Sequence, residues 1–194
     1  MKRPEFGRTV DQGETMKFRT WLLAIGCSIA FCLGAEAKDL DIKAFYGKFT
    51  GSGVANSEDS LYFAVTVRDT DVEIRPTTDG FRVIWTTVLR QGGDPSKPDV
   101  RRRSSTADFV YSTRPNLFLG KGHSDPLVSG ETSWARVSGN SLLVYILTIG
   151  EDGLYDVQTY ARTLTGAGMD LIFTRVRDGE PTRTVKAKLA RQSN

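Results

Sequence analysis

From Glu131 to Arg191 tight-turn signals cut the chain into five short runs. ETSWARV leads into Ser-Gly-Asn-Ser, LLVYILTI into Gly-Glu-Asp-Gly, LYDVQTYARTL into Thr-Gly-Ala-Gly and MDLIFTRV into Arg-Asp-Gly-Glu-Pro, and TRTVKAKLAR closes the series. Gly, Asn and Asp at these joints tolerate the backbone angles that hairpin turns demand. Runs of this length, joined this closely, pair antiparallel with their sequence neighbours, because a parallel crossover needs a dozen or more residues. The second half is therefore an antiparallel meander.

The first half reads the same way with longer joints. LYFAVTVRD (61–69) alternates apolar and polar residues, DVEIR (71–75) continues it, and FRVIWTTVL (81–89) follows the turn pair Asp79-Gly80. QGGDPSKPD (91–99) is a loop, RRRSSTADFVYS (101–112) a weaker strand, and 113–130 is irregular apart from a short strand at Leu117–Leu119. Only Leu40–Phe45 has the look of a helical turn. The expected fold is all-β, an antiparallel up-and-down barrel of about 8–10 strands, since short successive hairpins favour that over a Greek key.

The strands begin after a segment of another kind. WLLAIGCSIAFCLG (21–34) carries no charge, follows Lys17 and Arg19, and precedes Ala35-Glu36-Ala37. This is the pattern of a secretory signal peptide cleaved after Ala37, and the run is shorter than the roughly 20 residues that span a bilayer. The expected organisation is residues 1–15 as an upstream extension or a long n-region, 16–37 as the signal peptide, and 38–194 as one β-barrel domain with no transmembrane segment left after cleavage. Met1 and Met16 are both open as the start of translation. The expected location is the periplasm or the exterior.

Composition removes several chemistries. A formal net charge of +3 does not point to nucleic acid. Both cysteines, Cys27 and Cys32, precede Ala37, and His123 is the single histidine, so no zinc or iron–sulfur ligand set can be assembled and no cofactor is expected. His123-Ser124-Asp125 is not a triad, because sequence neighbours point apart. No pair of carboxylates is singled out for acid–base work, and no catalytic residue is expected. Arg101-Arg102-Arg103 reads first as a strand edge kept soluble by charge. A contact with an anionic surface is its other reading.

One strand remains ambiguous. In LYDVQTYARTL, Asp156, Gln158, Tyr160 and Arg162 share one face, and Tyr155, Val157, Thr159, Ala161 and Thr163 share the other. The simplest expectation is that the polar face is outward and solvated. The alternatives are a structural network inside the barrel and a ligand site, with Trp85, Trp134 and Tyr160 as walls and Arg136, Gln158 and Arg162 as polar contacts.

Tyr46–Gly53, YGKFTGSG, resembles the opening strand of lipocalins and their relatives, with Gly47-Lys48-Phe49 at the family's Gly-x-Trp. Phe49 takes the place of the Trp, and no Arg of a matching final strand is assigned. The chain also resembles a group of small exported proteins of Gram-negative bacteria in its signal peptide, its Trp134-Ala135-Arg136 hairpin, its Gln158-Thr159-Tyr160-x-Arg162 strand and its Gly168-Met169-Asp170-Leu171 strand. These resemblances imply a lipocalin-like, calycin-type barrel, and lipocalins bind small hydrophobic molecules inside it. The expected function is an exported small-ligand-binding or carrier barrel without catalytic machinery, taking a small amphipathic or anionic ligand. The alternative is an envelope structural or interaction protein whose barrel is filled by side chains and whose apolar strand Leu142–Ile149 pairs with a protein partner or with a copy of itself.

Overall fold

The computed structural model describes residues 38–57, 66–90, 100–122 and 125–193. The predicted signal peptide with Ala37, residues 61–65 of the first alternating run, the 91–99 loop and His123 lie outside the described residues. The strands are β1 (Gly47–Ser57), β2 (Thr66–Pro76), β3 (Gly80–Arg90), β4 (Val100–Tyr111), β5 (Leu117–Gly120), β6 (Glu131–Ser138), β7 (Ser141–Ile149), β8 (Tyr155–Thr165), β9 (Gly168–Arg177) and β10 (Glu180–Arg191). Each pairs antiparallel with the next, and β1 pairs with β10, so the sheet closes on itself. This is the expected up-and-down lipocalin-like barrel, with ten strands. A short helix, α1 (Pro126–Ser129), links β5 to β6, and a 3-10 turn, Ile42–Phe45, precedes β1.

The turns form where the sequence marks them. Asp178 (φ 46°) and Gly179 (φ 88°) join β9 to β10, both in the left-handed region that a two-residue hairpin uses. Asp152 Oδ1 accepts from the Leu154 amide at 3.1 Å in the turn before β8. The weak strand 101–112 is in fact long, and all of β3 pairs with it. Its cross-strand partners supply what its own composition lacks.

The barrel interior is two-tiered. At the base, Phe45, Phe49, Phe81 and Phe109 are fully buried, joined by Leu142, Met169 and Leu189. Phe81 lies opposite Phe109 with ring centroids at 5.1 Å, and meets Phe118 edge-on at 4.9 Å. Each such ring contributes on the order of 2–3 kcal/mol relative to exposure. The 3-10 turn plugs this end: Asp41 caps it through the Lys43 amide at 2.8 Å, and Asp39 accepts from the Gly139 amide and from Asn116. Arg191, at the end of β10, lies 4.6 Å over the Phe49 ring and donates to the Tyr46 and Ala44 carbonyls at 2.7 and 2.8 Å. Arg191 thus ties the end of the last strand to the turn that precedes β1.

Toward the other end the inward-facing residues Trp85, Ser105, Ile146, Gln158, Phe173 and Val185 are only half-buried. The described barrel thus has a solid aromatic base, and the inward-facing side chains above it keep part of their surface in contact with solvent.

Strand β7 is hydrogen-bonded along both edges, to β6 and to β8. The expected strand-to-strand pairing of Leu142–Ile149 with a partner therefore has no free edge to use. Leu142 and Val144 point inward and are fully buried, whereas Leu143, Tyr145 and Leu147 lie on the outer face.

Candidate functional site

Strand β8 carries the site. Its register places Arg162 opposite Leu142 and Leu171, and Tyr160 opposite Val144 and Phe173, all on the core side. The polar ladder therefore faces inward, against the simplest sequence expectation. Asp156 and Tyr160 are 9% exposed and Arg162 is 0% exposed. The outer face of β8 is the blander one, with Val157, Thr159 and Ala161.

Arg162 is the largest fully buried side chain in the described barrel. Its guanidinium carbon lies 5.0 Å from the Tyr160 ring centroid and 5.8 Å from that of Trp85. Among the described residues none of Nε, Nη1 and Nη2 has a hydrogen-bond partner. A guanidinium has five N–H donors and no way to shed its charge at neutral pH, so leaving all of them unmet in a low-dielectric interior is costly. Burial pulls its pKa down to about 10, still charged at pH 7, with the neighbouring Tyr160 working the other way. The rings give some compensation through their quadrupoles but no acceptor.

Above Arg162 the aromatic wall continues. Trp85 and Phe173 pack against Tyr160 with centroids at 5.1 and 4.8 Å. The Tyr160 hydroxyl donates to Gln158 Oε1 at 3.1 Å, and burial raises the Tyr160 pKa. Nearer the mouth Arg175 Nε donates to Asp156 Oδ2 at 2.6 Å, while Asp156 Oδ1 is buried without a partner. The acid nearest Arg162 along β8 is thus committed elsewhere.

Of the six predicted site residues the fold gathers four, Trp85, Gln158, Tyr160 and Arg162, inside the barrel. Trp134 and Arg136 do not join them. On β6 the inward positions are Ala135 and Val137, so Trp134 and Arg136 fall on the outer face, where Trp134 stacks on Tyr145 at 5.0 Å and Arg136 is exposed. Asp156, named from sequence on the same polar face, joins the inner group with Phe173 and Arg175, which were not among the predicted contacts; β9 repeats Leu171, Phe173 and Arg175 at every second position, a sequence hint of the latter two. A concavity of about 440 Å³ near Thr50, Thr165 and Lys188 lies at the base of the barrel and includes none of these side chains. Among the described residues no cluster of His, Cys, Asp and Glu could hold a metal ion. No described helix is long and apolar enough to cross a membrane.

Together these features define a closed calycin-like barrel with a buried, unpaired cation near its floor. No protein-family model matches the chain, and no curated protein matches it. Among solved structures it is similar to a protein of unknown function of the DUF3598 family from Nostoc punctiforme, at 16% identity and a TM-score of 0.51 over 79% of this chain. The chain spans half the length of that protein. A looser likeness, at 9% identity and a TM-score of 0.34, is to an S-type phycobiliprotein lyase from Guillardia theta, over 80% of this chain and 94% of the lyase. The first likeness bears on the fold alone, and the second carries no argument.

Proposed function

We propose that the protein binds a small amphipathic molecule inside the barrel, with an anionic head on Arg162 and an apolar body against Trp85, Tyr160 and Phe173. The observation that carries this is the guanidinium of Arg162, wholly buried with no acceptor for any of its nitrogens. One buried cation without a buried counter-charge calls for one negative charge, and the planar fork of a guanidinium matches a carboxylate. The half-buried upper interior supplies the apolar contact area that such a ligand needs. Trp85 and Tyr160 lie over the cation, so binding requires them to move apart. The role is carriage or sensing rather than catalysis. The apolar segment ahead of Ala37 supports a site of action in the periplasm or outside the cell.

Titration with straight-chain monocarboxylates, followed by calorimetry and by native mass spectrometry of protein isolated from its own cell envelope, tests the proposal. Saturable one-to-one binding that Arg162→Gln abolishes is the expected result. A clean unliganded mass together with no carboxylate binding would sink it.

A second reading is a barrel filled by its own side chains, with Arg162 held purely by the two rings that cover it. What favours it is the position of the guanidinium beneath Tyr160 and Trp85. It predicts that Arg162 contributes to stability, so that Arg162→Met would destabilise the barrel in urea unfolding.

A further inference from the structure

The end of the barrel away from its aromatic base holds a second cationic feature that Arg162 does not explain. Strand register sets Arg183 of β10 directly opposite Arg175 of β9, and Arg175 opposite Gln158 of β8. All three lie on the inner face, two positions above Val185, Phe173 and Tyr160 respectively. Like charges directly opposite on neighbouring strands repel, and a sheet ordinarily avoids them. Here only one of the two is neutralised: Arg175 is tied to Asp156 at 2.6 Å, and Arg183 makes no hydrogen bond or ion pair with any described residue. Between this rim and Arg162 lie Tyr160, Phe173 and Trp85, an aromatic band with no charged member.

Resting on the ligand-binding reading above, we infer that the ligand is anionic at both ends, with its inner anion on Arg162, its outer anion on Arg183 beside Arg175, and an apolar body along the aromatic band. The register fixes the span. Arg162 is four positions from Gln158, the partner of Arg175, so the two anchors are about 13 Å apart along the strand. The outer anchor is half-exposed and screened, so it contributes selectivity more than strength, on the order of a two- to five-fold gain in affinity.

The test compares straight-chain α,ω-dicarboxylates with monocarboxylates of equal length, titrated into the full chain. The expected outcome is a dicarboxylate advantage that peaks at one chain length and falls away on either side. Arg183→Gln should bring the dicarboxylate-to-monocarboxylate affinity ratio to unity, Arg183→Lys should restore part of it, and Arg136→Gln, on the outer wall, should leave the ratio as it is. Thermal melts of all three variants report whether the barrel remains folded. Monocarboxylate binding that depends on Arg162 with no dicarboxylate advantage at any length would overturn the second anchor while leaving the first. Absence of binding by either series would overturn both. An advantage that survives Arg183→Gln would move the outer anchor away from this rim and refute the inference as stated.

Discussion

If Arg162 waits for a ligand, it should cost the empty protein stability, and Arg162→Met measures how much. Methionine is unbranched and of similar reach, so it can fill the slot beneath Trp85 and Tyr160 without a charge. The depression of the Arg162 pKa to about 10 by burial corresponds by linkage to roughly 3 kcal/mol of lost stability at pH 7. The sign follows from proton counting. The unfolded guanidinium holds its proton more tightly than the folded one, so this penalty is fully present at neutral pH and is relieved only as pH rises above about 10. Against it stand two ring contacts, each worth on the order of 0.5–2 kcal/mol. Methionine regains part of these through sulfur–aromatic contacts, so the expected net change is a gain of about 1–2 kcal/mol. At roughly 2–4 °C per kcal/mol for a chain of this size, the midpoint rises by about 4 °C. Urea unfolding followed by tryptophan fluorescence, with calorimetry alongside, reads both quantities, and the slope with urea should not change. The same variant should lose carboxylate binding. A loss of 1 kcal/mol or more would refute the reasoning and show that the rings satisfy Arg162 by themselves.

Other outcomes follow from the closing seam and the base. Burial and a hydrogen bond with Tyr111 push the Tyr46 phenol up from 10.0 to about 12, so the stability it lends is present below pH 10 and lost between there and about 12. Tyr46→Phe should flatten that alkaline loss in urea midpoints taken across the range, and an unchanged profile would exclude Tyr46 as its source. Arg191→Ala removes two hydrogen bonds to the 3-10 turn and the contact over Phe49, and should cost about 2 kcal/mol by urea unfolding, with Lys recovering only part of it. A Cβ on Gly51 would clash with the Lys188 carbonyl oxygen, so Gly51→Ala should destabilise the β1–β10 pairing by roughly 3 kcal/mol. Hydrogen exchange would locate the loss in those two strands, and a loss spread evenly over the barrel would contradict the assignment.

Strand existence was legible because turns are local chemistry. Asp178-Gly179 and the other punctuated joints are specified by residues within a few positions of each other. Side-chain direction was not, because both faces of the β6–β9 wall carry apolar residues. Leu142 and Val144 point in while Leu143 and Tyr145 point out, and nothing in LLVYILTI separates them. Alternation in β8 was equally uninformative: its more polar face is the buried one, the reverse of the usual rule. Trp134 illustrates the same limit from the other side, since a large aromatic residue looks like core and here stacks on the outer wall. Arg191 escaped notice because its role is set by Phe49, Ala44 and Tyr46, nearly the whole chain away.

That separation has a consequence for how the molecule is made. Nine of the ten pairings join strands adjacent in the chain and can form as each hairpin emerges, within microseconds. The tenth joins β1 to β10, pairing residues that lie 126 to 142 positions apart in the chain. At a synthesis rate of about 5–20 residues per second, β1 waits on the order of ten seconds for its partner. An exposed strand edge recruits other chains during such a wait. The opening strand is suited to it: GKFTGSG is short of β-branched residues and holds three glycines, so it is a poor template for a passing strand until Arg191 arrives to lock it in place.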